Sequence, residues 1–165
     1  MGRRVEAFAL DRFAPLRLPL LANRLTRMMG RACRPLGLSA PAWRVIALLG
    51  ETGALPIRQV RARSGIDKAR LSRVTSQLCA QGFVELQATA GDRRQLSLVL
   101  TPRGREVRRD LMRLLIDLQR MLLRDIGSEE YQVFERVLDS LESKIKAPEF
   151  AGTDTIAPAA ADCGA

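Results

Sequence analysis

Residues 57–82 read IRQVRARSGIDKARLSRVTSQLCAQG, and this stretch decides the fold. Its second half predicts a helix from Lys68 to about Gln81. Asp67 can cap that helix, because its carboxylate accepts from the free backbone N–H groups of the first turn, and Gly82 can end it. Three apolar residues at spacings of three and four form a stripe for the core: Leu71, Val74 and Leu78.

The first half of the stretch predicts a shorter helix from Ile57 to about Arg63, followed by a Ser64-Gly65 turn. Two helices joined by a short turn that contains Gly are typical of a helix-turn-helix. The stretch holds six basic residues and one acidic residue. Such charge can simply mark a solvated helix face, but cationic and polar side chains also suit base edges and phosphates in the major groove. The candidate DNA contacts on the second helix are Lys68, Arg70, Ser72, Arg73 and Gln77.

A predicted β-hairpin follows directly and favours the DNA-binding interpretation. Residues 83–89 have strand composition, and residues 95–100 alternate between apolar and other side chains. The tip between them carries Arg93 and Arg94, which can enter the adjacent minor groove. Asp92 either orients a neighbouring Arg or is a plain turn residue. The apolar face of the second strand consists of Leu96, Leu98 and Leu100.

Short motifs run from residue 37 to residue 104 in a fixed order. They are GLSAPAWRV (37–45), IDK (66–68), LSR (71–73), GFVE (82–85), DRR (92–94) and LTPRG (100–104). In this order they resemble the MarR family of bacterial transcriptional regulators, and with the flanking helices the resemblance covers about residues 13–146. The resemblance implies a dimeric winged-helix protein that binds a palindromic operator in double-stranded DNA. It also implies that a small anionic or phenolic ligand, or oxidation of a cysteine, releases the DNA.

The same resemblance assigns the contacts. It makes Lys68, Arg70, Ser72 and Arg73 recognition-helix contacts, and Arg93 and Arg94 wing contacts. Two positions depart from the family pattern. Leu86 stands where the family often has an Arg after Glu85, so one possible partner of Asp92 is missing, and residues 88–90 lack the usual Pro of the wing.

The remaining elements predict a mainly α protein with a small β-hairpin wing. Apolar spacings of three and four predict one helix from Pro19 to about Arg34, one from about Pro41 to Glu51, and two near the other end of the chain. Thr101 can cap the third of these, with Pro102 at its first position. Gly127 ends it, and Ser128 starts the last helix.

We therefore predict a winged helix-turn-helix flanked by N- and C-terminal dimerisation helices, although the helical stripes would also suit packing within one chain. The expected organisation is a single domain over residues 13–146. It consists of a DNA-binding lobe (38–101), dimerisation helices (13–36 and 102–146), an N-terminal arm (1–12) and a flexible tail (147–165).

Composition argues against several function classes. The net charge is +9, which suits a nucleic-acid partner. The chain has no His, so the commonest general base and most zinc sites are missing, and we expect neither an enzyme, a metal site nor a cofactor. No apolar run approaches the about 20 residues of a membrane span, and residues 1–13 lack a continuous apolar signal core. We expect a cytoplasmic protein without a membrane partner.

Two cysteines are candidate redox sensors. Cys33 stands between Arg31 and Arg34, whose charges would lower its pKa, and Cys79 lies near the end of the second helix of the helix-turn-helix. Cys163 in the tail would be a resolving thiol. The simpler interpretation is that Cys33 and Cys79 are small buried hydrophobic residues.

A ligand pocket is expected between the DNA-binding lobe and the dimerisation helices, as the family resemblance implies. An aromatic wall with one guanidinium would suit an aromatic carboxylate. Core packing for Trp43 and salt bridges for the arginines are the alternatives. The candidate lining residues are Asn23, Arg27, Met28, Trp43 and Arg44.

The sequence thus predicts a homodimeric, sequence-specific DNA-binding regulator, a repressor released from its operator by a small aromatic or anionic ligand. A redox-sensing regulator of the same fold is one alternative. A winged-helix module that binds an acidic protein and a non-specific nucleic-acid binder are alternatives of another class.

Overall fold

The computed structural model describes residues 9–89 and 92–146, without the side chains of residues 51, 52, 89 and 92–94. The chain divides into two units between Asp117 and Leu118. Two short 3₁₀ turns, Leu10–Arg12 and Arg34–Leu36, flank the first helix. The helices and strands are α1 (Ala14–Ala32), α2 (Ala42–Thr52), β1 (Leu55–Pro56), α3 (Ile57–Ser64), α4 (Lys68–Ala80), β2 (Val84–Thr89), β3 (Asp92–Leu100), α5 (Pro102–Leu122) and α6 (Ser128–Lys146).

The predicted helix-turn-helix, α3 and α4, is confirmed. Gly65 makes the turn with a φ of 65°, a conformation that costs Gly little. Asp67 caps α4, since its carboxylate accepts from the backbone N–H of Arg70 at 2.8 Å. At the other end Gly82 has a φ of 69°, and the N–H of Phe83 donates back to the carbonyl of Leu78 at 2.9 Å. This Schellman arrangement satisfies the last carbonyl groups of the helix.

The wing belongs to a three-stranded antiparallel sheet with the order β1-β3-β2. The second wing strand begins three residues before the predicted start, because a register shift after Ala88 lets Thr89 pair with Asp92. The expectation that Leu96 shares the buried face is wrong: Leu98 is fully buried, but Leu96 is 47% exposed. Leu98 pairs with Leu55 of β1 on one side and Leu86 on the other, whereas Leu96 lies one step nearer the hairpin tip.

The core of the first unit lies where α2, α4 and the sheet meet. The buried face of α2 follows the helical spacing of three and four, with Ala42, Val45, Ile46 and Leu49. Because one cluster joins these residues to both helix-turn-helix helices and to β3, the recognition elements rest on a common support. Other members of the cluster are Cys33, Leu38, Leu55, Val60, Ile66, Leu71, Val74, Leu78, Phe83, Val84, Leu98, Leu100 and Leu111.

Helix α1 begins earlier than the sequence predicted. It starts at Ala14 rather than at Pro19, and it ends at Ala32 rather than at Arg34. Pro15 lies in the first turn, where no N–H is needed, so Pro19 falls inside the helix and cannot donate to the carbonyl four residues before it. None of the α1 residues is buried.

Helices α5 and α6 begin where predicted. The backbone N–H of Gly104 donates to the Thr101 hydroxyl at 3.0 Å, which caps α5. Helix α5 ends at Leu122, before Gly127, and α6 begins at Ser128. The N–H of Gly127 donates to the Glu130 carboxylate at 2.9 Å, so an acidic side chain occupies the first turn of α6, where the helix dipole favours it.

Candidate nucleic-acid interface

Helix α4 separates its chemistry cleanly between two faces. Leu71, Val74 and Leu78 are buried as predicted, and Thr75 is buried with them. The predicted contact residues all lie on the exposed face, so polar and cationic groups point away from the core. These residues are Lys68, Arg70, Ser72, Arg73 and Gln77.

Helix α3 extends this surface with two arginines that the site prediction did not include. Arg58 and Arg61 are exposed, and they line a cavity of about 450 Å³ together with Lys68, Ser72 and Leu86. Their spacing of three places both side chains on one face of α3, which is the signal that could have added them to the candidates. The cationic residues of the two helices form what we call the α3–α4 basic surface: Arg58, Arg61, Lys68, Arg70 and Arg73.

The tip of the wing is only partly described. Residues 90 and 91, and the side chains of Asp92, Arg93 and Arg94, lie outside the described part, so the wing contacts stay predictions. Leu86 is 44% exposed and lines the cavity beside α4. At this position β2 therefore contributes apolar surface, not a cation, to the edge of the interface.

Hydrogen bonds tie the end of α4 to the start of α5. The Thr101 hydroxyl donates to the carbonyl of Gly82 at 2.6 Å, and the Thr101 N–H donates to the carbonyl of Phe83 at 3.1 Å. Gly104 lies against the Phe83 carbonyl so closely that a Cβ at this position would overlap with it. The guanidinium of Arg103 lies 5.2 Å from the centre of the Phe83 ring. The recognition helix is therefore joined to α5 through short, rigid contacts.

The candidate ligand residues do not form one site. Asn23 and Arg44 line a cavity of about 200 Å³, together with Thr26, Asp67 and Arg70. Arg27 lines a different cavity, and Met28 and Trp43 line neither of them. Trp43 packs partly buried against the core, with the Arg44 guanidinium 5.7 Å from the centre of its ring. Spacing along α1 and α2 could not show that the start of the recognition helix shares a cavity with Asn23 and Arg44.

The expected lowering of the Cys33 pKa by neighbouring arginines is wrong. Cys33 is fully buried in the core, and burial raises its pKa, because a thiolate loses its solvation there. Cys79 is partly buried, and the same cause raises its pKa. Both groups therefore stay protonated thiols at neutral pH, which makes them weaker nucleophiles than exposed cysteines. Cys163 lies outside the described residues.

Two other kinds of site were sought in the described part of the chain. There, no cluster of His, Cys, Asp and Glu side chains has the arrangement needed to hold a metal ion. Within residues 9–89 and 92–146, no helix combines the length and apolar character that a membrane crossing requires.

Comparison with known proteins agrees with this geometry. A sequence model of the MarR family matches residues 36–95, which include α2 to α4 and most of the wing. No curated protein matches the chain. A MarR-family transcriptional regulator from Silicibacter pomeroyi has 25% identity and a TM-score of 0.74, over 89% of this chain and 99% of that one.

Two further solved structures share the fold. A MarR/EmrR-family transcriptional regulator from Acinetobacter sp. ADP1 has 25% identity and a TM-score of 0.77, over 83% of this chain and 97% of that one. The PcaV transcriptional regulator from Streptomyces coelicolor, in complex with its natural ligand, has 23% identity and a TM-score of 0.68. That match covers 83% of this chain and 96% of PcaV, and it shows a common fold.

Proposed function

The chain belongs to the MarR family of transcriptional regulators, and we propose that it is a homodimeric repressor of a palindromic operator. Members of this family are regulators, not enzymes. The observation that carries the proposal is the exposed face of α4, whose polar and cationic side chains stand on a buried apolar stripe. A rigidly supported helix of this kind can enter the major groove and read base edges there.

Exposed apolar side chains support the homodimer. Leu16 and Leu20 of α1 are 44% and 51% exposed, and Phe134 and Val137 of α6 are 47% and 49% exposed. A second copy would cover such residues, and a two-fold axis would present two recognition helices to successive major grooves about 34–36 Å apart. A palindromic operator follows from that symmetry.

A small ligand is proposed to act by population shift. The cavity of Asn23 and Arg44 also includes Arg70 of α4, so an anion bound there would contact both α1 and the recognition helix. Such a ligand would favour one spacing of the two recognition helices over another. As a DNA-binding repressor the protein would act in the cytoplasm. The buried, protonated state of Cys33 weighs against the redox alternative.

The experiment that tests this function is a fluorescence-anisotropy titration at physiological salt. The probe is the intergenic DNA upstream of the protein's own reading frame, and the control is a scrambled duplex of equal length. We expect the native duplex to bind at least about 10³-fold more tightly. Equal binding of both duplexes, with affinities that fall steeply with salt, would identify a non-specific binder. Tight binding to an acidic protein without sequence preference on DNA would identify an interaction module.

Arg73→Ala tests the recognition helix itself. Arg73 is exposed on α4, and the loss of a good base contact should weaken operator binding by about 1–3 kcal/mol. The same titration measures this, with Arg124→Ala as a control that removes one exposed charge outside the helix-turn-helix. Unchanged affinity and sequence preference in Arg73→Ala would refute a role for this side chain in base recognition.

A further inference from the structure

A second cavity lies on a different side of the first unit from the α3–α4 basic surface. It has a volume of about 520 Å³ and lies between the end of α2, the end of β3 and the first half of α5. Its apolar lining includes Leu49, Leu100 and Met112. It shares no lining residue with the Asn23 and Arg44 cavity or with the cavity beside α4. The volume is within the range of about 300–1,000 Å³ that is typical of small-molecule sites.

Guanidinium groups supply the polar part of this lining, which contains no carboxylate. Arg105 is anchored, because its Nη1 donates to the carbonyl of Leu100 at 2.9 Å. Arg113 pairs loosely with Asp110 at 3.5 Å, where both side chains are exposed. One weak exposed pair cannot offset the positive charge of the whole group. The cationic lining residues are Arg105, Arg108, Arg109 and Arg113.

Arg108 is held in an unusual position. Its side chain lies directly over Gly50 of α2, and a Cβ at position 50 would overlap with the guanidinium. The Nε of Arg108 is buried and has no hydrogen-bond partner among the described residues. A buried donor without a partner costs free energy, and so does a Gly within a helix. Both costs are offset if an acceptor enters the cavity and pairs with the guanidinium.

We propose that this cavity binds an organic anion that joins a carboxylate or phosphate group to an apolar body. Arginine suits both groups, because its planar fork donates two parallel hydrogen bonds to either of them. The apolar lining would take the body of the ligand, and Arg108 would receive its charged end. The site is separate from the ligand cavity of the proposed function, and its existence does not depend on operator binding.

Isothermal titration calorimetry with the full chain tests the site. The probes are 2-naphthoate, 2-naphthyl phosphate and, as the uncharged control, 2-naphthol. We expect one or both anions to bind at least tenfold more tightly than 2-naphthol, and the better anion identifies the preferred group. Arg108→Gln should weaken binding of that anion at least tenfold, and Arg120→Gln, which removes a charge from α5 outside the cavity, should not change it.

Further variants separate the possible sites. Arg109→Gln changes an exposed lining residue and provides a second test if Arg108→Gln does not fold. Gly50→Ala should weaken anion binding too, since the added Cβ displaces Arg108. The proposal is overturned if no anion binds at millimolar concentration or if Arg108→Gln and Arg109→Gln bind like the wild type. It is also overturned if only Arg44→Gln abolishes binding, which would place the anion in the other cavity. Loss of operator binding by the wild type would refute the proposed function without touching this result.

Discussion

The helix-turn-helix lobe and the last helix use their apolar residues in opposite ways. In the lobe, Ile46, Val60 and Leu98 are completely buried. In α6 no residue is buried, and Phe134 and Ile145 are 47% and 68% exposed. Both regions carry regular apolar patterns, so pattern alone does not tell whether a face is covered by its own chain. We infer that the lobe is stable by its own packing and that α6 gains stability from a second copy.

The largest effect should come from a change in the core of the lobe. Ile46→Ala removes a fully buried side chain and should lower the free energy of unfolding by about 2–5 kcal/mol. Val137→Ala in α6 is the matched change at a half-exposed position. Urea denaturation followed by circular dichroism measures both variants. Equal losses would contradict the distinction between the two regions.

A smaller effect is expected from the exposed face of α6. The double variant Phe134→Ser, Val137→Ser removes two half-exposed side chains whose remaining surface a dimer would bury. The loss should be about 1 kcal/mol for each side chain, which together raises the dimer dissociation constant about 30-fold. Sedimentation equilibrium measures this constant, and Gln132→Ser on the same helix is the control. A dissociation constant equal to that of the wild type would show that this face does not form the dimer.

The smallest effect tests a local signal within the lobe. Asp67→Ala removes the side chain that caps α4 and should cost about 1 kcal/mol of stability. Asp67→Asn keeps an oxygen acceptor and should retain most of that contribution. Urea denaturation of the two variants provides the comparison. If both variants lose the same amount, the negative charge of Asp67 stabilises the helix and the cap geometry does not.

Local signals predicted the recognition helix well because its ends depend on neighbouring residues alone. Asp67 and Gly82 act on backbone groups within one turn, and the structure places both as predicted. Helix α1 was less predictable, since both Pro15 and Pro19 suit a first turn and only the whole structure shows which one takes it. The resemblance to the MarR family was likewise readable from short motifs.

Positions that depend on distant contacts escaped the sequence. The two-residue strand β1 exists only because Leu55 pairs with Leu98, and no local pattern marks so short a strand. Leu96 and Leu98 share one face of β3, but only Leu98 has the core behind it. Cys33 shows the same limit, since its two arginine neighbours in sequence suggested a lowered pKa and burial in the core raised it instead.

Chain-local chemistry was enough to establish the helix-turn-helix, its caps, the wing and the cationic face of α4, because these features arise between residues a few positions apart. Tertiary structure alone decided which parts of those faces are buried, which side chains share a cavity, and where Arg108 meets Gly50. Those residues stand on different helices, and only packing of the helices against a common core brings them together. Burial also sets the protonation of Cys33, because desolvation depends on the surrounding atoms and not on the order of residues along the chain.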